Sequence, residues 1–183
     1  EKSPIPIIKR YSGGGTVIVD LNTIFISFIF SKNAHNFPCY PERILDWSGK
    51  FYQQALPIPE FNLKENDYVI GKYKCGGNAQ YIQKSRFVHH TTFLWDYENK
   101  YMSYLSHPPK MPSYRENRTH NNFLCKIKDF LPSKQSFIRF IKDALYKQYL
   151  VIEENTEARQ SILKKPHRKA TQYVAVNSKS ICG

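Results

Sequence analysis

The stretch that most constrains this chain is Lys74-Cys75-Gly76-Gly77-Asn78-Ala79-Gln80. It stands between a short apolar run, Tyr68-Val69-Ile70, and a dense segment, Arg86-Phe87-Val88-His89-His90-Thr91-Thr92-Phe93-Leu94-Trp95-Asp96. Adjacent glycines let the backbone approach another group closely and admit positive-φ conformations. A lysine held directly before them keeps an ammonium beside whatever they cradle, which suits a phosphate or a carboxylate. Taken alone, the stretch reads more simply as a hairpin turn carrying a solvated lysine.

Two further stretches shift that balance. One is Lys9-Arg10-Tyr11-Ser12-Gly13-Gly14-Gly15-Thr16-Val17-Ile18-Val19-Asp20, and the other is the segment containing His89-His90. The order is a basic-aromatic-Ser-Gly-Gly-Gly loop, then Asn66-Asp67, then Lys-x-Gly-Gly-Asn-Ala-Gln, then Arg-x-x-His-His-x-Thr. Motifs in this order resemble the catalytic domain of the lipoate–protein ligases, within the biotin/lipoate ligase and octanoyltransferase superfamily. The resemblance runs from about residue 9 to about residue 150.

That resemblance implies an α+β fold, with mixed or antiparallel sheets flanked by helices. It implies a reaction in which lipoate or octanoate and ATP, with Mg2+, give an acyl-adenylate and pyrophosphate. A lysine of an acceptor lipoyl domain then takes the acyl group. A carboxylate and a triphosphate must be held together despite their like charge, so fixed donors are needed at the reacting centre. The acyl tail needs an apolar slot. Lys74 matches the family lysine that contacts the acyl carbonyl and the adenylate phosphate, as a stabilising cation and not a nucleophile. Arg10, Ser12, Gly13, Gly14 and Gly15 match the loop that packs on the acyl chain and nucleotide. Gly76, Gly77, Asn78, Ala79, His90 and Thr91 are expected to line the adenylate site, and Asp67 matches a residue beside the nucleotide and its Mg2+. His89 and His90 cannot easily share one metal ion, because adjacent strand residues point to opposite faces.

Composition bounds the rest. The chain has 183 residues, enough for one domain with a proper core. It carries 27 Lys+Arg against 15 Asp+Glu, a formal net charge of +12. Such a balance calls for an acidic partner: nucleic acid, an anionic membrane surface or an acidic protein. The resemblance favours acidic lipoyl domains, of 2-oxoacid dehydrogenase complexes or the glycine-cleavage H protein. Cys39, Cys75, Cys125 and Cys182 are widely spaced without a CxxC pair, which fits a reducing compartment better than a disulfide framework or a zinc site. A cytoplasmic or organellar-matrix location, mitochondrial or plastid, is expected. No stretch reaches the length of a membrane span.

Along the chain, residues 16–19 and 24–30 read as strands. Residues 41–56 read as a helix with Pro41 in its first turn and an apolar stripe of Ile44, Leu45, Trp47, Phe51 and Tyr52. Residues 68–70, 73–84 and 87–95 read as strands, with Gly71-Lys72 as a hairpin turn. Residues 123–131 have helix-like apolar spacing, and residues 133–150 form the strongest helix pattern, capped by Ser133. Residues 1–150 are expected to be a catalytic domain, and 151–183 a basic, loosely structured tail. Val19 stands where the family has a histidine. Relative to the family, an N-terminal portion and a small C-terminal accessory domain are expected to be lacking. An ATP-independent octanoyl or lipoyl transferase of the same fold is the alternative. Its cysteine nucleophile would fall near Phe61, and no cysteine lies between Tyr40 and Lys74. Cys75 is expected to point away from the lysine and to serve in packing. A basic nucleic-acid-binding module ranks third, because no nucleic-acid motif is present.

Overall fold

The computed structural model describes residues 5–106, 111–152, 156–166 and 171–174. In chain order the elements are β1 (Ile7–Lys9), β2 (Thr23–Ser31), α1 (Pro41–Ala55), β3 (Phe61–Lys64), β4 (Asp67–Ile70), β5 (Tyr73–Ile82), β6 (Arg86–Leu94), α2 (Asn99–Met102), α3 (His120–Phe123), α4 (Lys134–Gln148), α5 (Thr156–Leu163) and β7 (Gln172–Val174). They divide into two compact units, residues 14–151 on the one hand and residues 1–13 with 152–183 on the other.

The larger unit is an antiparallel sheet in the order β2-β6-β5-β4-β3, with helices on one face. The period-two pattern of β6 sets the two faces. Phe87, His89, Thr91 and Phe93 are buried, whereas Val88, His90, Thr92 and Leu94 are partly exposed. Helix α1 begins with Pro at its first turn and lays Ile44, Leu45, Phe51 and Tyr52 against the sheet. Tyr52 meets Tyr68 and Phe93 edge-on, with centroids at 5.2 and 4.9 Å. Gly49 lets this helix approach β3: a Cβ there would lie 3.0 Å from the Cβ of Leu63. Helix α4 is capped by Ser133, whose Oγ accepts from the Ser136 amide at 3.0 Å. It brings Phe137 edge-on to Phe93 at 5.3 Å. The opposite face of the sheet carries no long helix among the described residues.

Several expectations need correcting. Residues 16–19 form no strand, although they are β-branched and apolar. Strand β2 is the sheet's edge among the described residues, and Val17 and Val19 are left about half exposed. Residues 123–131 do not form one helix. Leu124 bridges to Lys74 and the Cys125 amide donates to the Lys74 carbonyl at 2.9 Å, so tertiary pairing overrides the local apolar spacing. The Gly76-Gly77 pair lies inside the continuous strand β5, with no positive φ at either glycine, and is not a turn. The turn is at Gly71, as expected, with φ 59°. Strand β3 carried too little pattern to be read from the sequence. The tail holds α5 and β7, and β7 pairs antiparallel with β1, so residues 1–13 group with the tail.

Candidate active site

A β-bulge builds the site. Strand pairing sets Asp67 opposite Gly77 and Tyr68 opposite Gly76, but Val69 opposite Lys74. One extra residue on β5 is thereby absorbed opposite β4, and both Cys75 and Gly76 face the helical layer. The Cys75 thiol lies 3.4 Å from the Tyr68 carbonyl, and a Cβ on Gly76 would sit 2.8 Å from Phe93 Cδ1. In a regular strand Lys74 and Gly77, three positions apart, would point to opposite faces. The bulge returns both to the open face, where Asp67 and Val69 also point. The consequence is direct: a Cβ built on Gly77 would lie 3.5 Å from the ammonium of Lys74. Gly77 thus leaves a small space over Lys74, while Gly76 is a glycine because the core leaves no room for a side chain.

Lys74 Nζ pairs with Asp67 Oδ1 at 2.7 Å, and their side chains are 29% and 11% exposed. Asp67 Oδ2 accepts from the Tyr114 hydroxyl at 2.9 Å. Burial, followed by the neighbouring Asp67, pushes the Tyr114 phenol well above its ordinary range, so it stays protonated and donates. Tyr114, Phe123 and Val69 form a small second cluster on the open face beside the lysine, with Leu124 against it. Arg118 donates to the carbonyls of Tyr114, Arg115 and Lys72, at 2.7, 3.0 and 3.1 Å. It therefore tethers this segment to the sheet and is not solvated charge. Arg115 is buried over the Phe123 ring at 4.8 Å.

From Lys74 the open face continues across β5, β6 and β2. Gly77 pairs with Thr92, which pairs with Phe25; Ala79 pairs with His90, which pairs with Ser27; Tyr81 pairs with Val88, which pairs with Ile29. Phe25 and Ile29 are 53% and 68% exposed, although both are large and apolar. His90 Nδ1 lies 2.6 Å from Ser27 Oγ on this face. His89 lies on the other side, as adjacent strand residues must. There Ser48 Oγ donates to the Leu45 carbonyl at 2.8 Å and so accepts from Tyr68 Oη at 2.6 Å. Tyr68 in turn accepts from His89 Nε2–H at 2.9 Å, which leaves Nδ1 unprotonated and without a partner. Burial, then the adjacent His90, lowers the His89 pKa to about 4.

The expected site residues are therefore distributed unevenly. Lys74, Gly77, Ala79, His90 and Asp67 share the open face. Thr91 does not: it is fully buried and its Oγ1 accepts from Tyr52 Oη at 3.0 Å. The Asn78 amide donates to the Asn66 carbonyl at 2.7 Å and ties β5 to the β3–β4 turn. In the glycine loop, Arg10, Ser12 and Gly13 belong to the smaller unit, and Gly14 and Gly15 to the larger. The Arg10 guanidinium donates to the Gly13 carbonyl at 3.4 Å, and Gly14 has φ 118°. Cys75 is fully buried, and desolvation pushes its thiol well up, so it is packing as expected. Tyr114 and Glu65 were missed, because nothing in their local sequence shows which strand they reach.

Asp67 Oδ1 already faces the Lys74 ammonium at 2.7 Å and Oδ2 accepts from the Tyr114 phenol, so a metal cation there would meet a second positive charge at close range. No group of three or more His, Cys, Asp or Glu among the described residues could hold a metal. A protein-bound Mg2+ at Asp67 does not fit this donor set. An anion does fit, since Lys74 keeps two further N–H donors beside the space that a Cβ on Gly77 would fill.

Comparison with known proteins identifies the family. The family described as the lipoyl protein ligase A/B catalytic domain matches residues 1–173. Inactive lipoate–protein ligase 2 of Plasmodium falciparum (isolate 3D7) is 34% identical over 162 residues, covering 70% of this chain and 42% of that protein. The lipoate-protein ligase LplJ of Bacillus subtilis (strain 168) is 32% identical over 99 residues, covering 52% of this chain and 28% of that protein. The chain thus spans less than half the length of these curated relatives. Among solved structures, the bi-partite lipoate protein ligase of Thermoplasma acidophilum aligns with TM-score 0.61 at 18% identity, covering 84% of this chain and 62% of that one. Lipoate-protein ligase A bound with ATP aligns with TM-score 0.58 at 20% identity, covering 85% and 67%. At these identities the structural likeness establishes the α+β fold alone. With the profile match over most of its length, the chain belongs to the lipoyl protein ligase A/B catalytic domain family.

Proposed function

We propose that this chain binds lipoate or octanoate together with ATP, forms the acyl-adenylate, and passes the acyl group to a lysine of an acidic lipoyl domain. The observation that carries the proposal is the bulge that sets the Lys74 ammonium over Gly77, on a sheet face where Phe25 and Ile29 are exposed. The face over Gly77 and Ala79, with the exposed Phe25 and Ile29 two strands away, suits an aliphatic tail. Lys74, aimed by Asp67, keeps two N–H donors for the carboxylate oxygen and the α-phosphate oxygen. The carboxylate oxygen attacks the α-phosphorus and pyrophosphate leaves with the electron pair of the broken P–O bond. A fixed cation at that point stabilises the charge that develops, and it costs little reorganisation. Mg2+ would enter with the triphosphate, not on Asp67.

Two observations bear on the alternatives. The buried, hard-to-ionise Cys75 counts against a cysteine-dependent transferase acting through that thiol. A second reading, acyl binding without ligation, draws on the Lys74–Asp67 pair, which offsets the lysine's charge, and on the name of the 34% identical Plasmodium relative. Incubation with lipoate, Mg-ATP and an apo lipoyl domain separates them. Pyrophosphate release and a mass gain on the acceptor are expected. Lipoate binding without either product would leave only the second reading.

A further inference from the structure

We infer that Tyr114 is a positioning residue for Lys74, acting through Asp67. This rests on the role proposed for Lys74 above. Tyr114 sits in the 3₁₀ turn Ser113–Arg115, which Arg118 ties to the Lys72 carbonyl and Glu65 clamps from the β3–β4 turn. The Glu65 Oε1 accepts from the Ser113 amide at 2.8 Å, from the Tyr114 amide at 3.3 Å and from the Ser113 hydroxyl. These bonds, the Ser113 hydroxyl first, hold the Glu65 carboxyl below its ordinary value, so the clamp is ionised at neutral pH. Glu65 has φ 52° and lies two positions before Asp67 in the β3–β4 turn, so clamp and carboxylate share one rigid connection.

The phenol ring is fixed on both sides. Phe123 packs against it with centroids 5.2 Å apart, and the Lys64 ammonium lies 5.0 Å from its centre. Its hydroxyl then takes Oδ2 of Asp67 and leaves Oδ1 alone to face Lys74. The terminal torsion of a carboxylate is soft, and a lysine side chain has several rotors to lose. With the phenol present, one carboxylate orientation is selected and the ammonium is aimed. Without it, Asp67 rotates and Lys74 samples positions away from Gly77. Neither Asp67 oxygen is then a spare metal ligand; the carboxylate's work is orientation of the cation.

Tyr114→Phe keeps the ring and its packing and removes only the hydroxyl. Two measurements on the 183-residue chain decide the matter. The first is the 15Nζ resonance of Lys74, assigned by its loss in Lys74→Arg. A held ammonium exchanges slowly with water, so the resonance is expected in the wild type and is expected to broaden away in Tyr114→Phe while the thermal midpoint stays within a few degrees. Its persistence in the variant, or its absence from the wild type, overturns the inference. The second is pyrophosphate release, where kcat is expected to fall about tenfold with KM for lipoate and ATP little changed. A rise in KM at constant kcat overturns the inference as well. If the wild type releases no pyrophosphate, the proposed ligase reading fails, and the resonance still decides whether Tyr114 orients Lys74.

Discussion

At the scale of single residues, the site is a matter of which glycine does what. Gly77 faces the open side with its absent Cβ 3.5 Å from Lys74 Nζ, an ordinary contact distance. Alanine would fit there, but the branched methyls of valine would occupy the space over the ammonium. Gly77→Val is therefore expected to fold, since valine suits a strand, and to weaken acyl-adenylate binding by roughly tenfold or more. Calorimetric titration with a non-hydrolysable analogue measures it. The lysine and its glycines were legible in the sequence as a cation beside small residues. Asp67 was legible too, but as a metal ligand. Its pairing with Lys74 depends on a register shift that residue identities alone do not reveal. Thr91, expected at the site, is sent by strand alternation to the core with His89.

At the scale of elements, the bulge in β5 is the device that makes a strand into a site. It requires Cys75 and Gly76 to share one face opposite Tyr68, and Phe93 occupies the space a side chain on Gly76 would need. Gly76→Ala is expected to cost about 1–3 kcal/mol of stability through overpacking. Urea unfolding checks this, and an unchanged midpoint would mean that Phe93 yields freely. The contrast with Gly77, where ligand affinity should suffer and stability should not, separates the structural glycine from the functional one. The glycine pair reads locally as a turn and not as a bulge, whereas the dense β-branched and aromatic pattern of β6 and the capped helix α4 were readable from local pattern. The segment around Leu124 and Cys125 was not, because its backbone is claimed by Lys74, some fifty positions away in sequence. Concavity does not find the site either. The groove lined by Glu60, Phe61, Asn62, Lys64, Val69 and Gly71 runs along β3 and β4 and omits Lys74.

At the scale of the whole molecule, the sheet carries the Lys74–Asp67 pair on one face and a buried polar relay on the other. That relay makes stability depend on pH. The folded-state pKa of His89 is about 4, below the ordinary value of 6.5, so the unfolded chain binds more protons between those limits. Stability from this group is fully present above about pH 6.5 and is lost as pH falls toward 4. The full effect is about 3 kcal/mol, from the size of the shift. Unfolding free energies measured between pH 4 and pH 7 should show this slope, and His89→Gln should flatten it. The net charge of +12 belongs to this scale as well, as a field suited to an acidic acceptor. The central claim is narrower: the Lys74 ammonium, set over Gly77 by the bulge, is what binds the activated acyl group. The most direct test is the affinity of a non-hydrolysable acyl-adenylate analogue for the wild type and for Lys74→Ala. A loss on the order of a hundredfold, with an unchanged thermal midpoint, is the expected result. Equal affinity for both proteins would contradict the claim.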